Sequence, residues 1–88
     1  VGVGWQATEF EIVGQDFKNR GRRTDEMLEV MQKLWTGEVV AHDGPVYRFP
    51  PLQMSPGVAG GVPVWVGGTS ASALARAARH DGWCGALH

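Results

Sequence analysis

The alternation of apolar and polar residues divides the chain into helical and extended segments. Between Asp16 and Trp35 apolar residues recur every three or four positions, which predicts one amphipathic helix. Asp16 is the predicted N-cap of that helix, and Gly37 is its predicted left-handed C-cap residue. Before it, residues 1–5 form a glycine-interrupted apolar stretch, which indicates the end of a buried strand running into a loop.

The segment after this helix has the pattern of a β-hairpin. Two strand-like runs flank Asp43-Gly44, a dipeptide typical of tight hairpin turns. His42 lies beside the turn without a second metal ligand nearby, so we expect a surface histidine and no metal. Residues 50–61 are rich in proline and glycine and are expected to form a connector, either a mobile cover or a plain linker.

Residues 63–79 predict a strand, a tight turn and a helix. The apolar run is too short for a helix and ends at Gly67 and Gly68. Thr69 and Ser70 can cap the alanine-rich helix that follows. In such a unit the unpaired amides of the first helical turn and the helix dipole both favour an anion. The residues therefore predict either a phosphate-binding turn or a structural turn with a capping residue.

A turn at Asp81-Gly82 and an apolar run over residues 83–87 complete the order strand, helix, hairpin, strand, helix, strand. Repeated strand–helix units imply parallel strands with right-handed crossovers. The predicted fold class is therefore α/β, and the pattern leaves open a doubly wound sheet or a (β/α)8 barrel. A full barrel needs about 250 residues, so this chain would supply about a third of one.

Composition and charge exclude several classes of partner. Eight basic and nine acidic residues give a net charge of −1, so the chain has no excess of positive charge to attract nucleic acid or an anionic membrane. The single cysteine, Cys84, cannot form an internal disulfide, and no apolar stretch approaches the roughly 20 residues of a membrane span. We expect a cytoplasmic protein. Because the chain begins without methionine and stops inside a strand-like run, we also expect a domain truncated at both ends.

A series of motifs, in order along the chain, resembles the luciferase-like monooxygenase family. These are Gly2-Val3-Gly4-Trp5 with Glu9-Phe10; Asp16-Phe17 with Arg20-Gly21-Arg22-Arg23 and Asp25-Glu26; Leu34-Trp35-Thr36-Gly37; Asp43-Gly44 with Tyr47; Pro63-Val64-Trp65-Val66-Gly67-Gly68; and Asp81-Gly82-Trp83. The resemblance covers nearly the whole chain and is to the bacterial flavin- or deazaflavin-dependent oxidoreductases. It implies a fragment of a (β/α)8 TIM barrel, in which residues 1–88 belong to one domain and residues 38–61 form a hairpin insertion.

The resemblance also implies a cofactor, either FMN in its reduced form or the deazaflavin coenzyme F-420. The family holds the cofactor phosphate in a turn that matches the second glycine and both hydroxyl residues of the predicted turn. An earlier glycine of the family lies near the cofactor and matches the fourth residue of this chain. The cofactor-binding residues implied in this way are Gly4, Gly68, Thr69 and Ser70. Gly67 is added as a candidate because glycine lets the backbone come close to a ligand.

Trp5 stands where a sugar-phosphate dehydrogenase branch of the family carries an acidic residue for proton transfer, which tryptophan cannot perform. Trp5 can instead form a wall of the cofactor pocket or pack against neighbouring residues. No catalytic residue is identified, since His80 and Cys84 are more readily explained as structural. The implied activity is oxidation or reduction of a small-molecule substrate, by a monooxygenase or a deazaflavin-dependent dehydrogenase. Two alternatives to an enzyme are a phosphate-binding module without turnover and a fragment without independent activity. The sequence also leaves open whether the full-length protein is a homo-oligomer.

Overall fold

The structure, a computed structural model, describes residues 1–85, which divide into two compact units. The first unit combines residues 1–22 with the chain from residue 63 onwards, and the second comprises residues 23–62. The fold is mixed α/β, as predicted. In chain order the elements are α1 (Ala7–Ile12), α2 (Arg20–Trp35), β1 (Val39–Asp43), β2 (Arg48–Gln53), β3 (Trp65–Gly67), α3 (Ala71–Ala78) and β4 (Gly82–Cys84).

The first unit is built on a parallel strand–helix–strand arrangement, as predicted. β3 and β4 pair in parallel, with Trp65 opposite Gly82 and Gly67 opposite Cys84. Helix α3 connects them, since parallel neighbours need a crossover connection. The strand predicted at 83–87 is therefore confirmed as far as Cys84, and residues 86–88 lie outside the described residues.

The core of the first unit lies between α3 and one face of β3. Val64 and Val66 are buried, whereas Trp65 between them is 53% exposed. This alternation is that of a strand with one covered face. From α3 the small side chains of Ala73 and Ala77 are buried, and small residues allow a helix to pack close to a strand. The predicted alanine-rich helix thus supplies the second layer of the unit.

The N-terminal residues differ from the prediction. Residues 1–5 are not a strand, although Val1 lies beside β3 and its carbonyl accepts the amide of Gly67 at 2.7 Å. The amine of Val1 donates to the carbonyl of Trp65. The predicted loop that follows contains helix α1. Six residues are too few to show a helical period, so the sequence pattern could not reveal this helix.

Helix α2 begins at Arg20, four residues later than predicted. Asp16 does not cap it, because Asp16 Oδ1 accepts the amide of Lys18 at 2.9 Å. A side chain that bonds the amide two residues on forms an Asx-turn, which competes with helix formation. At the other end Gly37 has a φ of +80°, which confirms the predicted left-handed residue after the helix.

The second unit contains the predicted antiparallel hairpin. Val39 lies opposite Gln53 and Asp43 opposite Arg48. β2 extends through residues 50–53, which the sequence pattern predicts as part of a connector, so the predicted boundary is wrong. Proline cannot donate a hydrogen bond to a ladder, but a two-stranded ribbon has free edges where prolines are tolerated.

The rest of the predicted connector packs on the C-terminal end of α2. The amide of Val58 donates to the carbonyl of Trp35 at 2.7 Å. Gln53, the last residue of β2, donates from its Nε2 to the carbonyl of Gly37 at 2.8 Å. Gly57 approaches Gly37 so closely that a Cβ on Gly57 would lie 2.6 Å from both Cα and N of Gly37. This segment is a packed part of the unit rather than a plain linker.

The predicted surface position of His42 is wrong. Its side chain is 8% exposed, and its Nε2 lies 3.5 Å from Oε1 of Glu26. The ring stacks on Phe49 with centroids 5.7 Å apart and an interplanar angle of 22°. Alternate residues of β1 are less exposed than their neighbours, and His42 falls on that less exposed face. A lone histidine beside a turn gave no sign of a carboxylate partner elsewhere in the chain.

Candidate functional site

The turn between β3 and α3 is shaped by two glycines with different roles. Gly68 has a φ of +112°, and a Cβ at this position would lie 2.9 Å from the Cβ of Ala73. Both the positive φ and the lack of room for a Cβ therefore require glycine at this position. At Gly67 the nearest atoms to an added Cβ are the carbonyl oxygens of Val1 at 3.6 Å and Cys84 at 3.8 Å, which are ordinary contacts.

Ser70 is the N-cap of α3, as the sequence predicts. Its Oγ accepts the amide of Ala73 at 3.1 Å, and its carbonyl accepts the amide of Leu74 at 3.0 Å. The amides of Ala71 and Ser72 belong to the first helical turn, where an α-helix supplies no acceptor. Both residues are exposed. The start of α3 therefore has amides without a helical acceptor, in exposed residues, at the positive end of the helix dipole.

The electrostatics of this helix start favour an anion. The first turn of α3 contains no acidic residue. Thr69 and Ser70 are exposed hydroxyl residues that can donate further hydrogen bonds. Because the amide of Gly67 already donates to Val1, Gly67 would contribute close backbone approach rather than a donor.

Trp83 on β4 supports the turn from the side. Its indole Nε1 donates to the carbonyl of Gly68 at 2.7 Å. With the bond from Gly67 to Val1, this contact fixes the glycine pair from both neighbouring segments. Sequence reasoning missed both supports. The available signal was the indole itself, since a tryptophan N–H usually finds an acceptor.

Gly4 and Trp5, the other predicted site residues, are not joined to the turn by the contacts described. Gly4 has a φ of +89°, and a Cβ there would lie 2.9 Å from the Phe10 ring. Its carbonyl accepts Nε of Arg20 at 3.0 Å. Trp5 is 75% exposed. The structure thus groups residues 67–70 as one contiguous feature and places Gly4 in a separate cluster of the same unit.

Other candidate chemistry is sparse within residues 1–85. No three His, Cys, Asp or Glu side chains there come together in a way that could hold a metal ion. Cys84 is an exposed free thiol. None of the helices in the described part of the chain is long and apolar enough to cross a membrane.

Replacing Ser70 with alanine should lower the free energy of unfolding by about 1 kcal/mol, because the amide of Ala73 loses its capping acceptor. Urea denaturation monitored by tryptophan fluorescence measures the change. Ser72→Ala is the matched control, since Ser72 is an exposed residue inside the same first turn. Equal losses in the two variants would contradict a capping role.

These features define a mixed α/β protein with a glycine turn leading from a parallel strand into a capped helix. The chain belongs to the luciferase-like monooxygenase family, whose sequence profile matches residues 1–87. No solved structure matches the chain.

Curated relatives fall into three groups. An uncharacterised protein of Mycobacterium tuberculosis is 39% identical over 83 residues, covering 94% of this chain and 29% of the relative. The FMNH(2)-dependent dimethylsulfone monooxygenase of Pseudomonas fluorescens is 29% identical, covering 91% of this chain and 23% of the relative. The F420-dependent glucose-6-phosphate dehydrogenase of M. tuberculosis is 37% identical over 60 residues, covering 68% of this chain and 18% of the relative. The chain thus spans less than a third of the length of these relatives.

Proposed function

We propose that this chain is part of a flavin- or deazaflavin-dependent oxidoreductase in which the turn Gly67–Ser70 holds the cofactor phosphate. Family membership supports an oxidoreductase, and the relatives include one named as FMNH(2)-dependent and others named as F420-dependent. FMN and F420 are accordingly the two cofactors that we propose. The observation that carries the residue assignment is the exposed, glycine-bordered start of α3.

The residues of this turn fit a phosphate group. Gly68 has no side chain to obstruct the approach to the helix start, and Ser70 is already used as the cap. Ala71 and Ser72 are exposed residues whose amides can donate to phosphate oxygens, with the hydroxyl of Thr69 next to them in the chain. A hydrogen bond to an ionised acceptor is stronger than a neutral one, and the helix dipole adds to it.

A (β/α)8 barrel, with residues 38–61 as a hairpin insertion, is the proposed setting of this turn. The β3–α3–β4 arrangement is the repeating unit of such a barrel. Barrel active sites lie at the carboxyl ends of the strands, which is where the turn follows β3.

Gly4 and Trp5 are proposed to line the same cofactor site. The carbonyl of Gly4 is held by Arg20, and its positive φ needs a residue without a side chain. The exposed indole of Trp5 offers a flat apolar surface to a ring system. When bound, the cofactor supplies hydride transfer or oxygen chemistry, while these residues would anchor and orient it. No acid or base is assigned to the reaction.

Phosphate dependence of flavin binding tests the proposal. FMN should bind the chain at least about tenfold more tightly than riboflavin, which lacks the phosphate. The charge-assisted hydrogen bonds to the phosphate are expected to contribute at least roughly 1.4 kcal/mol, which corresponds to a tenfold change in affinity. Inorganic phosphate should compete with FMN and should shift the backbone amide resonances of residues 69–72. Equal affinities for FMN and riboflavin, or amide shifts confined to other residues, would refute the phosphate assignment.

The choice between the two cofactors can be made by the same titration. F420 also carries a phosphate, so both cofactors can bind the turn through that group. A difference in affinity between FMN and F420 must therefore come from contacts with the ring system. Selective binding of FMN would favour the monooxygenase reaction, and selective binding of F420 the dehydrogenase reaction. Turnover is then measured with oxygen consumption or deazaflavin absorbance, and tight binding without turnover in the full-length protein would contradict an enzyme.

A further inference from the structure

Two neighbouring residues at the start of helix α2 contact both parts of the cofactor site proposed above. The side chain of Arg20 donates from Nε to the carbonyl of Gly4 at 3.0 Å. The carbonyl of Gly21 accepts a hydrogen bond from Nη2 of Arg76, on α3, at 3.3 Å. The backbone of residues 20–21 therefore links the Gly4 segment, indirectly, to the helix that begins at the proposed phosphate turn.

The guanidinium of Arg20 is held by an aromatic ring as well as by hydrogen bonds. Its central carbon lies 3.8 Å from the centroid of the Phe17 ring, and its Nη1 donates to the carbonyl of Phe17 at 3.1 Å. A cation over the face of an aromatic ring is attracted by the ring quadrupole. Phe17 in turn meets Phe10 edge to face, with centroids 5.2 Å apart and an interplanar angle of 83°. Contacts within the chain thus fix the position of the Arg20 side chain.

Gly4 completes this set of contacts. A Cβ at Gly4 would lie 2.9 Å from Cε2 of Phe10, so the backbone of Gly4 lies against that ring. The Gly4 carbonyl that accepts Arg20 belongs to the peptide group joining Gly4 to Trp5. Because a peptide group is planar, a bond to its oxygen also fixes the plane that contains the nitrogen of Trp5.

The direction of the Trp5 side chain depends on this peptide group. Trp5 is 75% exposed, so packing around the indole restricts it little. The link to α3 is firm at its other end, because Arg76 is only 4% exposed and its guanidinium is a charged donor. An aromatic surface that is already oriented loses less conformational entropy when a ligand ring packs on it.

We propose that Arg20 is a positioning residue of the cofactor site, which holds the Gly4 carbonyl and so orients Trp5 toward the ring system of the cofactor. This inference rests on the proposed function, since it requires a cofactor that has both a phosphate and a ring system. Arg20 acts through the backbone of Gly4 and takes no part in binding the phosphate. Its removal should therefore affect the ring contact and spare the phosphate contact.

A double-mutant cycle on the affinity for FMN tests this role. Arg20→Met keeps an unbranched apolar stem but removes the hydrogen-bond donors, and Trp5→Ala removes the indole. Each substitution alone should weaken FMN binding about fivefold, and Arg20→Met should have no further effect in the Trp5→Ala background, because the two residues act through one contact. The affinity for inorganic phosphate should stay within about twofold in all three variants, since phosphate uses the turn alone.

Arg22→Met is the matched control, because Arg22 is an exposed arginine two residues further along the same helix. It should leave FMN binding unchanged. Additive losses in the cycle, or an equal loss of phosphate and FMN affinity in Arg20→Met, would show that Arg20 only supports the fold and would overturn the proposal. Failure of the unaltered chain to bind FMN would instead remove the proposed function, and this inference with it.

NMR of the unaltered chain gives a readout that does not depend on the folding of any variant. FMN should shift the Nε–H resonance of Arg20 and the amide resonance of Trp5 together, in addition to the amides of residues 69–72. Inorganic phosphate should shift the amides of residues 69–72 alone. If FMN shifts these turn amides and leaves Arg20 and Trp5 unchanged, the phosphate turn stands and the positioning role of Arg20 is overturned.

Discussion

Replacing Gly57 with alanine should destabilise the second unit by about 3 kcal/mol. The added Cβ would lie 2.6 Å from Cα and N of Gly37 and 2.9 Å from the carbonyl oxygen of Trp35. All three are backbone atoms, which cannot rotate away as the tip of a side chain can. Overpacking costs about 1–3 kcal/mol. Separating the two segments would also break the bond from the amide of Val58 to Trp35, which contributes about 1 kcal/mol.

Urea denaturation followed by circular dichroism measures this loss, since α2 accounts for much of the helical signal. Gly2→Ala is the control, because an added Cβ at Gly2 meets nothing within 4 Å and its φ is not positive. That variant should remain within about 0.5 kcal/mol of the unaltered chain. An unchanged denaturation midpoint for Gly57→Ala would show that the connector does not pack on the end of α2.

Replacing Gly68 with alanine should weaken phosphate binding more than tenfold and destabilise the first unit by about 2 kcal/mol. The φ of +112° strains any residue with a Cβ, and that atom would lie 2.9 Å from the Cβ of Ala73 in the first turn of α3. Relief of the clash must move the turn away from the helix start. The amides proposed to bind phosphate would then lose their common direction.

The neighbouring glycine provides the control for this prediction. In Gly67→Ala the added Cβ meets only ordinary contacts, at 3.6 and 3.8 Å, and the φ is not positive. This variant should keep its phosphate affinity within about twofold, because the donors proposed for phosphate lie further along the chain. Competition of inorganic phosphate with FMN measures both variants. Equal affinities in Gly68→Ala and the unaltered chain would place the anion elsewhere.

The features predicted correctly from sequence depend on contacts between near neighbours. Asp43-Gly44 marks the hairpin, Gly37 ends α2, and Ser70 caps α3, and each of these is decided within about four residues of chain. The parallel pairing of β3 and β4 is a longer contact, but it follows from the strand–helix–strand order.

Apart from helix α1 and the boundaries of α2 and β2, the features that the sequence did not reveal are close approaches between segments 15 or more residues apart. Glu26 looks like one more charged residue of an amphipathic helix until its contacts with the hairpin are known. Gly57 looks like part of a flexible connector until its approach to Gly37 is seen. Periodicity reports which face of an element is apolar, and it carries no information about which polar atom meets which. The same holds for the candidate site: the sequence predicts its glycines, but it does not predict the hydrogen bond from Trp83 to Gly68.

The indole of Trp83 gives the proposed phosphate turn a spectroscopic probe that is part of the protein. Its Nε1 hydrogen bond to Gly68 links the electronic environment of one tryptophan to the position of the turn backbone. Any ligand that draws the turn toward itself changes this bond and, with it, the emission wavelength of Trp83. In a chain whose other three tryptophans are replaced, occupancy of the turn could therefore be followed by fluorescence without a label.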